Sequence, residues 1–390
     1  MNAVQKKSWE SQKMRAQAID YSILFLVLFL VGFGLVILYS TSSYKGSLLH
    51  NDTAYWLKKQ AFFAVIGIAG MMIISRLDYH IWKKKWWFIW AVYGGTIALL
   101  LLTFVIGAAS HGSKRWLPLG PISFQPSELA KITLNLFLAA YISSRARQMR
   151  TGKGLLEPFL LVLPIVGIVG IENLSTCIIL LAISFIMIFV ATPLYKPFLG
   201  LIGIGVAGAV LLILTQGYRM ERITVWLDPA SSDKGEQTMQ GLYAIGSGGL
   251  FGKGLGQSMQ KLGFLPEANN DMIFSVICEE LGLFGALCVL ALFFALLWRF
   301  MVIAINAPDL YGSMLVIGVI AHIGIQVFIN IAVATNTMPN TGIPLPFISY
   351  GGSSLVFLLL EMGLVLSVSR YIKIKSKKTG KEKERWKREI

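Results

Sequence analysis

Between Leu265 and Gly285 the chain reads LPEANNDMIFSVICEELGLFG. A polar loop runs directly into an apolar helix that carries Asp271, Ser275 and Glu279 four residues apart, on one face. One carboxylate therefore stands at the mouth of the helix and another inside it, roughly 12 Å further along at 1.5 Å per residue. The apolar character continues to Leu297, which is enough to cross a hydrocarbon core about 30 Å thick. An ionisable group at that depth costs roughly 2.5 to 3.5 kcal/mol, so it marks function unless a partner accounts for it.

The remainder of the chain has the same character. Of 390 residues, 55% are hydrophobic, 12% aromatic and 14% charged, a balance too apolar for a soluble globular protein. Apolar runs of membrane-spanning character lie at Tyr21 to Ser40, Gln60 to Ser75, Trp86 to Ile106, Leu129 to Ile142 and Phe159 to Ile171. Five more lie at Leu174 to Thr192, Phe198 to Leu214, Met272 to Leu297, Met314 to Ala334 and Leu355 to Val368. The expectation is an all-α polytopic membrane protein with ten transmembrane helices, long extracellular loops and both termini in the cytoplasm. Residues 1–20 form a cytoplasmic N-terminal segment, residues 21–370 the membrane domain with a large outer loop at 215–271, and residues 371–390 a basic cytoplasmic tail.

The net charge of +15 does not point to nucleic acid, because its distribution follows the positive-inside rule. Lys6, Lys7, Lys13 and Arg15 precede the first span, Arg76 and Lys83 to Lys85 join the second and third, and Arg145, Arg147, Arg150 and Lys153 join the fourth and fifth. The tail suits anionic lipid heads, though a solvated, disordered end is the plainer reading of such a charge run. Cys177, Cys278 and Cys288 all fall within spans, which leaves no disulfide framework or zinc spacing. The four histidines form no metal motif.

Three long outer loops collect the unusual residues. In the first, Gly107 to Glu128, Lys114 and Arg115 adjoin Trp116, and Glu128, Lys131 and Asn135 follow on one helix face. Basic residues on the outer side suggest an anionic ligand; an interfacial tryptophan anchor and a self-neutralising Glu128–Lys131 pair explain them equally well. The second loop holds Arg219 and Arg222, then AIGSGGLFGKGLGQS around Lys253. Its glycines resemble a phosphate cradle, but Gly254 stands where a Walker loop needs Ser or Thr, and a flexible loop serves as well. The third, TMPNTGIPLPFISYGGSS from Thr337 to Ser354, is too rich in proline and glycine for regular helix, and such backbone near a membrane lines a wet cavity or is buried in protein. His322, Gln326 and Asn330 make a polar stripe on the span before it, suited to the cavity or to interhelical hydrogen bonds. Asn269, Asn270 and Asp271 are themselves good helix caps, so Asp271 has both a structural and a catalytic reading.

At GSKRWLPLGPISFQPSE, AIGSGGLFGKGLGQSMQKLGFLPEANNDMIFSVICEELG and GIPLPFISYGGSS the chain resembles the SEDS family, the shape, elongation, division and sporulation proteins that include FtsW, RodA and SpoVE. The resemblance implies a peptidoglycan glycosyltransferase that polymerises lipid II at the outer face of the bacterial cytoplasmic membrane, with a class B penicillin-binding protein and other division or sporulation proteins as partners. The family's catalytic aspartate falls on Asp271 and the glutamate of its eighth span on Glu279, while Arg115, Trp116, Gln125 and Glu128 match its first motif. Substrate contacts are expected at those positions and at Lys131, Arg219, Arg222, Lys253, Ser349, Tyr350 and Gly351, with Arg115 foremost for the pyrophosphate. A divalent cation, magnesium or manganese, is an allowed cofactor, and no residue is assigned to it. The wording LGQSMQKLGFLPEA is closer to the FtsW and SpoVE branch than to RodA. The chain departs from the family pattern at Asn269 and Asn270, at Glu172 to Thr176, and at Asn336 to Asn340. Two other readings use the same residues: a lipid II flippase, and a scaffold that only recruits division proteins.

Overall fold

The computed structural model describes residues 18–372 apart from 111–112, 120–121, 193–196, 199, 201, 204, 206, 209, 211–216 and 233–234. The long helices are α1 (Tyr21–His50), α2 (Tyr55–Arg76), α4 (Trp86–Ile106), α5 (Pro126–Ser144), α6 (Gly152–Glu172), α7 (Leu174–Ala191), α10 (Ile273–Asn306), α11 (Leu310–Ala334) and α12 (Gly352–Ser369). Shorter helices are α3 (His80–Lys84), α8 (Gly217–Leu227) and α9 (Glu236–Gly248). Eight of the described helices are long and apolar enough to cross a membrane. The span expected at Leu129 to Ile142 is α5, a regular helix outside those eight; it buries Glu128 and Lys131. The span expected at Phe198 to Leu214 lies largely outside the described residues, as do most of the N-terminal segment and the basic tail.

Helix boundaries follow local chemistry. Asp20 caps α1 by accepting from the N–H groups of Ser22 and Ile23 at 2.9 and 3.3 Å, and Asp309 caps α11 through Gly312 N at 2.7 Å. Pro126 opens α5, where its missing N–H costs nothing. The first outer loop contains a small antiparallel sheet in the order β1 (Ala108–Ser110), β2 (Ser113–Leu119), β3 (Ile122–Phe124). Leu117 pairs with Phe124 and Leu119 with Ile122. Strands this short carry too few residues to show an alternating pattern in sequence.

Both ends of the bundle lie on one face. Asp20 N donates to Ser369 Oγ at 3.2 Å, and Arg299 pairs with Asp20 from the far end of α10. On the opposite face Tyr350 N donates to Asn269 O at 2.9 Å. Lipid tails are as apolar as leucine, so close packing and polar bonds have to hold the helices together. A Cβ on Gly363 would stand 2.8 Å from Met71 O, which is how α12 comes to lie against α2. The His322, Gln326 and Asn330 stripe supplies polar bonds. His322 Nδ1 meets Glu361 Oε2 at 2.7 Å, Gln326 Nε2 donates to Pro344 O at 2.9 Å, and Asn330 Nδ2 donates to Ile343 O at 2.8 Å.

The expected outer loop 215–271 is largely folded: it holds α8, α9 and a glycine-rich turn packed against α10. Gly282 has φ 69° and ψ −168°, which breaks α10. The groups freed at the break bond to that turn. Leu283 N and Phe284 N donate to Gly249 O and Leu250 O at 2.9 and 3.0 Å, while Lys253 N and Gly254 N donate to Glu279 O and Glu280 O, both at 2.9 Å. Backbone at membrane depth needs such partners. A Cβ on Gly282 would stand 2.3 Å from Gly252 N, so the contact requires glycine. Of the glycines that suggested a phosphate cradle or a flexible loop, Gly248 and Gly252 serve this packing, since a Cβ there would stand 2.0 Å from Cys278 O and 2.2 Å from Glu280 O.

Candidate active site

Asp271 sits in the turn before α10 and is 6% exposed. It does not cap the helix: the cap position is Met272, and no side chain of the preceding residues accepts from the first turn. Asn330 Nδ2 holds the Asp271 carbonyl at 2.8 Å. The carboxylate's side-chain donor is Gln237 Nε2 on α9, 3.4 Å from each oxygen, which is long for a hydrogen bond. Gln237 is oriented by Asn340 Nδ2, which donates to its Oε1 at 3.0 Å. A Cβ on Gly342, whose φ is 67°, would stand 3.9 Å from Asp271 Oδ2, so the third loop approaches the carboxylate through its glycine backbone.

The surrounding polar groups hold this turn in place. Ser349 Oγ donates to Asn270 O at 2.6 Å and accepts from Leu345 N at 2.8 Å. Gln60 Nε2 donates to Ser349 O, and Gly351 N donates to Gln60 Oε1, both at 3.2 Å. Tyr350 packs edge-on against Trp56 at 4.9 Å. Glu267 and Phe347 have φ of 54° and 63°, where a non-glycine residue costs about 1 to 3 kcal/mol and persists only under such restraint. Ser349, Tyr350 and Gly351, expected to bind substrate, thus brace the Asp271 turn.

Burial and the nearby negative charge of Glu267 push the Asp271 carboxyl up to about 7, against smaller opposing effects that include Gln237 and the Arg222 guanidinium. Burial raises a carboxylic acid because it penalises the charged form. A carboxyl that titrates near neutrality can accept a proton in one step and give it up in another.

The other expected residues fall in three groups. Arg222, on α8, is near enough to act on Asp271 electrostatically and donates from Nη1 to Asn340 O at 3.0 Å; Arg219 precedes it on the same helix, with its side chain outside the described residues. The first motif forms a second cluster. Arg115 Nε donates to Glu172 O at 3.2 Å, Gln125 Nε2 donates to Ser127 Oγ at 3.0 Å, and the half-buried Trp116 pairs in the β1–β2 ladder. Glu128 is bound by Lys131 Nζ at 2.8 Å and Ser354 Oγ at 2.7 Å, which is the self-neutralising pair. The third group lies inside α10. Glu279 is fully buried and accepts from Lys253 Nζ at 2.7 Å, from Ser258 Oγ and from Met259 N at 3.2 Å. The α10 glutamates pair with lysines of the stretch after α9, Glu279 with Lys253 and Glu280 with Lys261. Gln237, Asn340 and Glu267 were not among the expected residues, since an isolated polar side chain has no spacing to mark it in the sequence. An open groove of about 550 Å³ lies at the opposite face between α1 and α10, from Tyr21 and Phe25 to Trp298 and Arg299, away from this chemistry.

A family model described as a cell cycle protein, covering FtsW, RodA and SpoVE, matches residues 21–374. Stage V sporulation protein E of Bacillus subtilis (strain 168) is 40% identical over 90% of this chain and 97% of its own length. A probable peptidoglycan glycosyltransferase FtsW of Geobacter sp. (strain M18) is 38% identical over 91% of this chain and 98% of that protein. Among solved structures, one described as "Structural coordination of polymerization and crosslinking by a peptidoglycan synthase complex" superposes with a TM-score of 0.75 at 30% identity, covering 91% of this chain and 98% of the other. The rod shape determining protein RodA of Thermus thermophilus does so with a TM-score of 0.67 at 29% identity, covering 92% and 99%.

Proposed function

The chain belongs to the FtsW, RodA and SpoVE family of cell cycle proteins, and from that premise we propose that it is a peptidoglycan glycosyltransferase that polymerises lipid II, with Asp271 as the proton acceptor. The observation that carries the reading is the condition of Asp271. Its carboxyl is nearly buried, titrates near neutrality and has no ion-pair partner within 4.0 Å among the described residues, whereas its carbonyl and its neighbours are bonded into the scaffold.

In the reaction, the 4-hydroxyl oxygen of the acceptor N-acetylglucosamine attacks the anomeric carbon of the donor N-acetylmuramic acid while Asp271 takes the hydroxyl proton. The bond from that carbon to the pyrophosphate breaks on the opposite side, and undecaprenyl pyrophosphate leaves with the electron pair, so the configuration inverts. A placed base contributes about a hundred- to ten-thousand-fold; alignment and charge stabilisation of the leaving group supply the rest. Arg222, beside Asp271, is the foremost neutraliser of the pyrophosphate, ahead of Arg115 on the first-motif cluster.

Among the described residues no three or more His, Cys, Asp or Glu side chains are grouped for a metal. A magnesium or manganese ion would fit only as one held mainly by the substrate's pyrophosphate, with Glu267 as a protein ligand, and would supply charge neutralisation. The face holding the basic segments, where α1 begins and α12 ends, is assigned to the cytoplasm by the positive-inside rule, which turns Asp271 outward from the cytoplasmic membrane. A class B penicillin-binding protein is the proposed partner, by likeness to the polymerising and crosslinking complex, and the FtsW and SpoVE relatives favour division or sporulation over elongation.

The test is polymerisation of lipid II by the purified protein with and without that partner. The wild type is expected to make glycan chains, and Asp271→Asn to bind lipid II and make none. A wild type inactive with its partner under varied divalent cations would end the enzyme reading in favour of a flippase or scaffold.

A further inference from the structure

The outer part of α10 is not held in place by helix continuity. Because Gly282 breaks the helix, Ile273 to Leu281 form a short segment that must be fixed by its surroundings, and Asp271 stands at its head. The turn after α9 ties the segment through backbone hydrogen bonds, and two side-chain pairs add a second tie. Glu279 and Glu280 are adjacent and so point about 100° apart around the helix. Each meets its own lysine from the same stretch, Lys253 Nζ at 2.7 Å from Glu279 Oε1 and Lys261 Nζ at 2.8 Å from Glu280 Oε1.

The two pairs differ in what they join. The Lys253 side chain is 36% exposed, whereas those of Lys261 and Glu280 are 6% and 0% exposed. The deeper pair also takes in a third helix: Ser40 Oγ on α1 donates to Glu280 Oε1 at 2.6 Å and accepts from Lys261 Nζ at 2.8 Å. The three side chains close a triangle that links α1, the stretch after α9 and the outer segment of α10.

We propose that Lys261, Glu280 and Ser40 are positioning residues for the transfer reaction, a buried joint that fixes the rotation of the outer α10 segment and hence where the Asp271 carboxylate stands. The proposal rests on the reading of Asp271 as the proton acceptor. A buried ion pair is a poor source of stability, because desolvation cancels much of its attraction and apolar residues of similar volume often serve as well. Its contribution is directional. Glu280 reaches Lys261 and Ser40 together at one rotation of the segment, and the break at Gly282 frees that rotation from the rest of α10. Asp271 lies nine residues before Glu280, so a turn of the segment about its axis carries the carboxylate sideways relative to Gln237 and Arg222, which belong to other elements.

The experiment compares lipid II polymerisation by the full-length wild type, Lys261→Met/Glu280→Leu, Lys261→Arg, Ser40→Ala and Asp271→Asn. The double variant removes both charges at once and leaves no unpaired ion, so it is expected to fold and to melt close to the wild type. Its KM for lipid II is expected to stay within about threefold while kcat falls about a hundredfold, the scale of a misplacement near 1 Å. The residual rate retains an acidic limb, because the proton acceptor is unchanged, and that limb shifts as the carboxylate moves relative to Gln237 and Arg222. Ser40→Ala is expected to lose less, and Lys261→Arg, which keeps the charge, to recover most of kcat. Wild-type kcat in the double variant, or a loss of kcat that tracks a loss of thermal stability across the series, overturns the joint. An inactive Asp271→Asn beside a fully active double variant rejects the joint alone. Full activity in Asp271→Asn rejects the acceptor assignment, and with it the joint's stated target.

Discussion

Replacing Asp271 by asparagine is expected to stop polymerisation and, at the same time, to make the folded protein more resistant to unfolding at alkaline pH. The carboxyl is pushed from its ordinary 3.8 up to about 7, so the folded state holds the proton more tightly than the unfolded chain does. Stability is then lost as pH rises through the interval between the two values. The cost is absent below pH 3.8, grows across the interval and is complete above about pH 7. At 1.36 kcal/mol per pH unit, its full size is about 4 kcal/mol. Asparagine is neutral and nearly isosteric, and it keeps an oxygen for Gln237. Its stabilising effect is therefore expected to be about 4 kcal/mol at pH 8, about 2 kcal/mol near pH 5.5 and close to nothing at pH 4. Thermal or denaturant unfolding in detergent across that range reads the effect directly, and it needs no substrate. A stability difference between Asp271→Asn and wild type that does not change with pH would show that the carboxyl is not raised in the folded protein. The same outcome would remove the reason for treating it as a base poised near neutrality.

Three further outcomes follow from other parts of the site. The pH–rate profile of the wild type should rise with pH through about 7, and Glu267→Gln should move that limb to lower pH, while Arg222→Gln, which removes a favourable positive charge, should move it higher; initial polymerisation rates from pH 5 to 9 check both directions. Gly282→Ala should cost at least about 2 kcal/mol, since it puts a side chain at φ 69° and 2.3 Å from Gly252 N, and Gly246→Ala, which meets nothing within 4 Å, serves as the control in the same melts. His322→Leu should destabilise by about 3 to 5 kcal/mol by leaving Glu361 buried without its partner, and His322→Leu/Glu361→Leu should recover most of that loss.

Much of the architecture was legible along the chain because bilayer solvation acts on runs of residues. A stretch of 18 or more apolar side chains declares itself without knowledge of its neighbours, and helices α1, α4, α7, α10 and α11 coincide with such runs, while α2 and α12 contain shorter ones. The asymmetry of lysine and arginine between loops is equally local. The β1–β2–β3 sheet was not legible, because its strands are short and the hydrogen bonds that define it join residues with no distinctive pattern. The folded character of the 215–271 region was hidden for a related reason: its glycines read as flexibility until the broken backbone of α10 is seen to need partners there.

The candidate site divides along the same line. Its carriers were visible as residue types, with carboxylates at Asp271, Glu279 and Glu280 against an apolar background and basic residues at Lys253 and Arg222. Their roles were not, because a role depends on which partner arrives. Glu279 and Glu280 are neutralised by lysines 26 and 19 residues away, so a partner accounts for the costly charges inside the helix. Asp271 is approached by Gln237 and held by Asn330, 34 and 59 residues away, and its neighbour Asn270 by Ser349, 79 residues away. A helical membrane protein with a carboxylate at the mouth of one helix can be read along the chain, since hydrophobic periodicity and charge placement are properties of neighbours. That Asp271 is the one of the three with no ion pair among the described residues became visible only in the folded molecule, since burial and pairing arise when distant segments meet and exclude water.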